Sequence, residues 1–226
     1  NLHPVEDLPL REVPSRFPSQ QRSGWAFDCV FADWPLYFPA MRSCYMQAGG
    51  SIINCRLMRE DLSSLSADTV VNCSGAGNST LFDDPHDQCL VLRGHMIHKQ
   101  GAPLITGLHN NKISYNYTPQ ASTYAEMSGR ASDVYCYPRS DGWILGGSRQ
   151  EGSLASGEWK AGKDNNVPSY RIDGHAVPRP IIDLNDEILG TTFGHSLNRS
   201  DELSALIGYR YIRNKKNGLR LDHETI

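Results

Sequence analysis

Apolar positions first fall into a helical rhythm at Leu36, Ala40, Met41, Cys44 and Tyr45, behind Asp33 as a capping residue and Pro35 in the first turn. Gly49-Gly50 ends that helix. Residues 1–32 carry Pro4, Pro9, Pro14 and Pro18 with few recurrent apolar positions, and read as a connector. Ser51 to Met58 reads as a strand, and Thr69-Val70-Val71-Asn72-Cys73 as a short β-branched run entering Ser74-Gly75-Ala76-Gly77. A strand followed by a glycine turn marks the edge of an α/β sheet, so 33–93 is expected to be an α/β segment.

From residue 94 to 213 the pattern turns to β. Val134–Tyr137 and Trp143–Leu145 flank Pro138-Arg139-Ser140-Asp141-Gly142, a hairpin signal with Asp-Gly in the turn. Glu151 to Val177 is polar and glycine-rich, Ile181 to Leu189 has the spacing of a short helix, and Leu206 to Ile212 reads as a strand. A basic turn, Arg213 to Gly218, leads to a further strand start at Leu219-Arg220-Leu221. The fold class expected from this order is α+β.

Composition narrows the function. In 226 residues, 39 % are hydrophobic and 21 % charged, with 22 Lys and Arg against 25 Asp and Glu, which is the balance of a folded chain with no basic footprint for nucleic acid. No apolar run approaches the roughly 20 residues of a membrane span. Cys29, Cys44, Cys55, Cys73, Cys89 and Cys136 are scattered without a C-x-x-C pair, which suits a reducing compartment. The start, Asn1-Leu2-His3-Pro4, has neither an initiator Met nor a secretory pattern and reads as the interior of a longer product. The histidines show no metal-ligand spacing, and no G-x-S-x-G elbow is present, so metal and serine-hydrolase chemistry have no motif.

Three blocks carry candidate chemistry. Val70 to Gly77 would let a backbone approach a nucleotide without Cβ clashes, although spacing alone favours an ordinary strand-to-loop turn. Alternation puts Tyr135 and Tyr137 on one sheet face and Cys136 on the other, so two phenols could line a pocket or simply suit a strand. In Gly208-Tyr209-Arg210-Tyr211-Ile212-Arg213, an inward Arg210 would need an anion, either a substrate carboxylate or an acidic residue of the same chain.

In order, these blocks resemble the flavin-dependent D-amino-acid oxidase and D-aspartate oxidase family. Val70 to Gly75 resembles its V-V-N-C-T-G, Arg93-Gly94-His95 its R-G-Q, and Tyr135 to Arg139 with Leu145 to Ser148 its tyrosine strand and L-G-G-T. Gly208 to Arg213 with Leu219 to Leu221 resembles G-x-R-P-x-R and V-R-L. His95 stands for the family's Gln and Tyr211 for its Pro, and neither the G-x-G-x-x-G fingerprint nor the closing glycine run is found, so the chain resembles the middle of such an oxidase.

The resemblance implies an α/β remnant of a flavin domain at 33–93, a mixed-sheet substrate domain at 94–213 and the start of a return to the flavin domain at 214–226. It implies FAD as cofactor and a D-amino acid as substrate, oxidised to an imino acid that hydrolyses to keto acid and ammonia while oxygen becomes hydrogen peroxide. Arg210 and Tyr135 take the places that hold the substrate carboxylate. Ser74 and Gly75 match positions near the flavin, with Leu57 as a backbone contact. No catalytic base is implied, and neither nucleic acid nor membrane is a partner. Arg149-Gln150 resembles the G-G-T-R-Q of the D-aspartate branch, where a second cation favours an acidic substrate; Arg130 could be another, and pairing of Arg149 with Glu151 is the alternative. A cytoplasmic or peroxisomal site follows. A glycine- or sarcosine-oxidase-like flavin enzyme and a non-catalytic ligand-binding module are the competing readings.

Overall fold

The computed structural model describes residues 3–5, 24–82, 89–106, 111–125, 129–153, 156–160, 167–197 and 203–213. In chain order these form β1 (His3–Val5), β2 (Gly24–Ala26), α1 (Trp34–Gln47), α2 (Asn78–Phe82), β3 (Cys89–Gln100), β4 (Tyr115–Tyr117), β5 (Val134–Arg139) and β6 (Gly142–Gly146). There follow β7 (Gln150–Gly152), β8 (Trp159–Lys160), β9 (Ser169–Ile172), β10 (His175–Pro178), α3 (Arg179–Phe193) and β11 (Leu203–Arg213). The strands expected at 219–221 and the return at 214–226 lie outside the described residues.

The fold is α+β, built on one seven-stranded sheet. β3 is its spine: β11 runs antiparallel along it from Leu203↔Lys99 to Arg213↔Cys89, while its other edge pairs with β6 at 96–100 and β7 at 91–93. β5 and β4 extend the sheet beyond β6, and β8 extends it beyond β7. Every strand pairing in this sheet is antiparallel, so the mixed sheet expected from the resemblance is not what these residues form. β3 also runs through the boundary expected between 93 and 94.

The β5–β6 hairpin turns at Ser140-Asp141, where Arg139 Nε donates to Asp141 Oδ1 at 2.8 Å. That hydrogen bond, together with the Arg139 charge, holds the Asp141 carboxyl below its usual range. Gly142 is required at the start of β6: its φ is +134°, and a side chain there would run into the Lys99 carbonyl of β3. One face of the sheet is dry. Ile97, Val134, Cys136, Trp143 and Leu145 meet Ile181, Leu184, Ile188 and Leu189, the apolar stripe of α3, and all are buried. Burial pushes the Cys136 thiol up to about 12, which leaves it an inert core residue. Gly194, in the left-handed conformation at φ 69°, closes α3 four residues beyond the expected end.

The segment before β3 behaves differently. α1 forms where the spacing predicts it, but buries none of its residues. Residues 51–58 and 69–73 are not strands, contrary to expectation. The reason is the lack of a partner: a strand persists only when its backbone groups are paired, and no described residue pairs with these runs. Their apolar side chains stay in solvent, Ile53 at 78 % and Val71 at 79 % exposure. The connector expected at 1–32 contains the β1–β2 pair, with His3 opposite Ala26. Phe31 stacks on Tyr137 at 5.9 Å and ties this part to the sheet, as does Asp33 Oδ2, which accepts from the Ser140 amide at 2.8 Å. That bond also takes the Asp33 side chain away from capping α1.

Candidate functional site

Antiparallel partners share a face, so the pairings Asn116↔Tyr135↔Gly146↔Met96 and Gly94↔Gly208, Leu92↔Arg210 set these residues on one side of the sheet, opposite α3. There they line a cavity of about 430 Å³, together with Ser132, Asp133 and Tyr137, and with Gly147, Ser148 and Arg149 of the β6–β7 loop. The volume lies in the roughly 300–1,000 Å³ range of small-molecule sites. Tyr135, Arg149 and Arg210, far apart in sequence, all line it.

Glycines make room for Tyr135. A Cβ on Gly146 or Gly147 would collide with its ring, so the phenol lies directly over the backbone at the end of β6. That backbone is held from the core side: Asn185 Nδ2 donates to the Gly146 carbonyl at 3.1 Å, the buried Tyr124 hydroxyl donates to that of Gly147 at 2.9 Å, and Tyr115 OH donates to Asn185 Oδ1 at 2.7 Å. Asn185 is fully buried, and its amide also reaches the Ile181 carbonyl at 2.7 Å. The Tyr137 ring stands 4.9 Å from that of Tyr135, with its hydroxyl donated to Asn116 Oδ1 at 2.9 Å.

Burial first, and then the neighbouring Tyr137 phenol, raise the Tyr135 pKa; Arg210 and Arg149 pull against them. Tyr135 is therefore a neutral hydroxyl in the field of two guanidinium groups. Among the described residues, neither the Tyr135 hydroxyl nor the Arg210 guanidinium has a hydrogen-bond or ion-pair partner. Arg210 is exposed rather than buried, on the edge strand β11. Arg149 faces Asp133, with Nη2 3.8 Å from Oδ2.

Ser148 repairs the ladder where the partner of β3 changes from β6 to β7. Its Oγ accepts from the His95 amide at 2.9 Å and lies 2.8 Å from His95 Nδ1. Burial, reinforced by Arg93 and His175, pushes His95 down to about 4, so near neutrality the ring is uncharged. Next to it, Arg93 donates to Gln150 Oε1 from Nε at 3.0 Å and Nη2 at 2.6 Å, and lies over the Trp159 ring at 4.6 Å.

The expected flavin positions do not join this cavity. Gly75 sits in a turn at φ +57° whose nearest neighbour is the Tyr211 ring, and Leu57 lies in an exposed unpaired segment. Ser74 is committed locally: its hydroxyl donates to Asn72 Oδ1 at 2.7 Å and its amide to the same atom at 3.0 Å, while Asn72 Nδ2 donates to Asn78 Oδ1 at 2.6 Å. The site that the resemblance implies for a dinucleotide is a pair of strands feeding a glycine turn, and residues 51–75 form no strand. Arg130 is exposed and does not line the cavity.

No family model matches the chain, and no solved structure matches it. No group of three or more metal-ligating side chains occurs among the described residues, and none of their helices is long and apolar enough to cross a membrane.

Sequence reasoning missed Asp133, Asn185 and Tyr124. Asp133 stands just outside the strand pattern, and Asn185 is a polar residue inside an apolar helical stripe. A buried Asn among aliphatic residues is a signal of a specific partner, but the partners, Tyr115 and the Gly146 carbonyl, are 70 and 39 residues away in sequence.

Proposed function

We propose that the cavity holds the carboxylate of a small amino acid between Arg210 and Tyr135, as the substrate-binding part of an oxidase of the D-amino-acid or D-aspartate kind. The observation that carries this reading is the meeting of Tyr135, Arg149 and Arg210 in one cavity, with the Tyr135 hydroxyl and Arg210 without partners among the described residues. A guanidinium offers a planar fork to a carboxylate, and a neutral phenol adds a third donor. Gly208 lines the cavity with nothing within 4 Å of where a Cβ would stand, which leaves open floor for a ligand to rest on backbone. FAD-dependent deamination is the reaction class that the resemblance implies, and no step of it is assigned to residues 51–75, which form no strand.

The unpaired backbone of residues 51–75 favours a second reading, a ligand-binding module without oxidase activity. Calorimetric titration with D-aspartate, D-alanine and glycine, for the natural chain and Arg210→Ala, tests the carboxylate clamp. Binding should weaken at least tenfold in the variant, about 1.4 kcal/mol; an unchanged Kd would remove Arg210 from the site. Peroxide release from D-amino acids in the presence of FAD separates the two readings, since the binding module gives none.

A further inference from the structure

Three charged side chains line the cavity: Arg210, Arg149 and Asp133. A dicarboxylic amino acid carries the complementary set, two carboxylates and one ammonium. Resting on the carboxylate reading above, we infer that Asp133 accepts the ammonium group of the ligand while Arg210 and Arg149 take its two carboxylates.

Asp133 is built for that role from both ends. Its backbone carbonyl accepts from the Gly147 amide at 3.3 Å, which fixes it beside the loop that carries Arg149. Its Oδ1 accepts from Thr118 Oγ1 at 2.7 Å, which sets the plane of the carboxylate. Oδ2 lies 3.8 Å from Arg149 Nη2, attracted by its charge but beyond the 2.7–3.2 Å of a hydrogen bond. A carboxylate has about four acceptor positions, and Thr118 is the only hydrogen-bond donor to this one among the described residues. An ammonium group would supply the missing donors, and would screen Asp133 from the second carboxylate as that approaches Arg149. A ligand that lacks the amine would set its second carboxylate to compete with Asp133 for Arg149, so the same residue both attracts the amino acid and repels the plain diacid.

The test compares D-aspartate with succinate, which differs only in lacking the amine, by calorimetry on the natural chain and on Asp133→Asn. The natural chain should bind D-aspartate at least tenfold more tightly than succinate, and Asp133→Asn should reduce that ratio to about twofold with succinate bound no more weakly than before. Equal affinity of the natural chain for both ligands overturns the inference without any variant. Equal weakening of both ligands in Asp133→Asn also overturns it, because the residue would then only support the loop. If the natural chain binds neither ligand, or if Arg210→Ala leaves succinate binding unchanged, the carboxylate reading itself falls and the inference with it.

Discussion

Helices α1 and α3 are nearly the same length, 14 and 15 residues, and each has proline in its first turn, yet α3 buries six side chains and α1 none. The difference lies in what each meets. α3 lies on a sheet whose facing residues are Val134, Cys136 and Leu145, whereas Trp34, Leu36, Tyr37, Phe38 and Met41 of α1 remain exposed. Local pattern suffices to write a helix, but packing of one face supplies most of its stability. The cavity follows the same division, since its walls come from strands and loops braced by α3 and its neighbours, and none from residues 34–82.

The sharpest contrast is in the cores. Ile181→Ala should lower unfolding free energy by about 2–5 kcal/mol, because the side chain is fully buried under the sheet. Leu36→Ala on α1 should change it by less than about 0.5 kcal/mol. Denaturant titrations of the two variants would break the comparison if their costs were similar.

The pH response should come from the buried region. His95 is nearly fully buried and its pKa is pushed down to about 4, so the unfolded chain binds a proton between about pH 6.5 and 4 that the folded chain refuses. Stability therefore falls as pH drops through that window, approaching a loss of roughly 3 kcal/mol below it. His95→Gln should flatten this part of the profile, as followed by thermal melts from pH 7 to 4; an unchanged slope would show that other groups set it.

Asn185→Ala would leave the Tyr115 hydroxyl and the Gly146 carbonyl without the partner that joins them. The expected cost is roughly 1–3 kcal/mol, with weaker D-aspartate binding as Tyr135 loses its fixed seat. A stability loss with unaltered affinity would show that the brace serves the core alone. Smallest in free energy but clear in rate, the α1 amides should exchange with solvent far sooner than those of Ile97 and Leu145, as expected of a helix without a packed face.

Much of the sheet was legible because its signals are local. The alternation at Val134–Tyr137, the turn residues before Trp143 and the 3.6-residue stripe from Ile181 each fix an element within a few residues. The strands expected at 51–58 and 69–73 had the right residue types but depended on a partner elsewhere, which a β-branched run cannot announce. Of the site, Tyr135, Arg149 and Arg210 were found through the resemblance, and their meeting became visible only with the register of β3, β6 and β11. Asp133 left no trace in the pattern, because its part depends on Thr118 and Gly147 coming beside it.

The most direct measurement is a crystal structure of the chain with D-aspartate. One carboxylate should lie within about 3.2 Å of the Arg210 guanidinium and the Tyr135 hydroxyl, beside the open floor at Gly208. A ligand bound elsewhere, or in the cavity with its carboxylates turned away from Arg210, would contradict the carboxylate clamp.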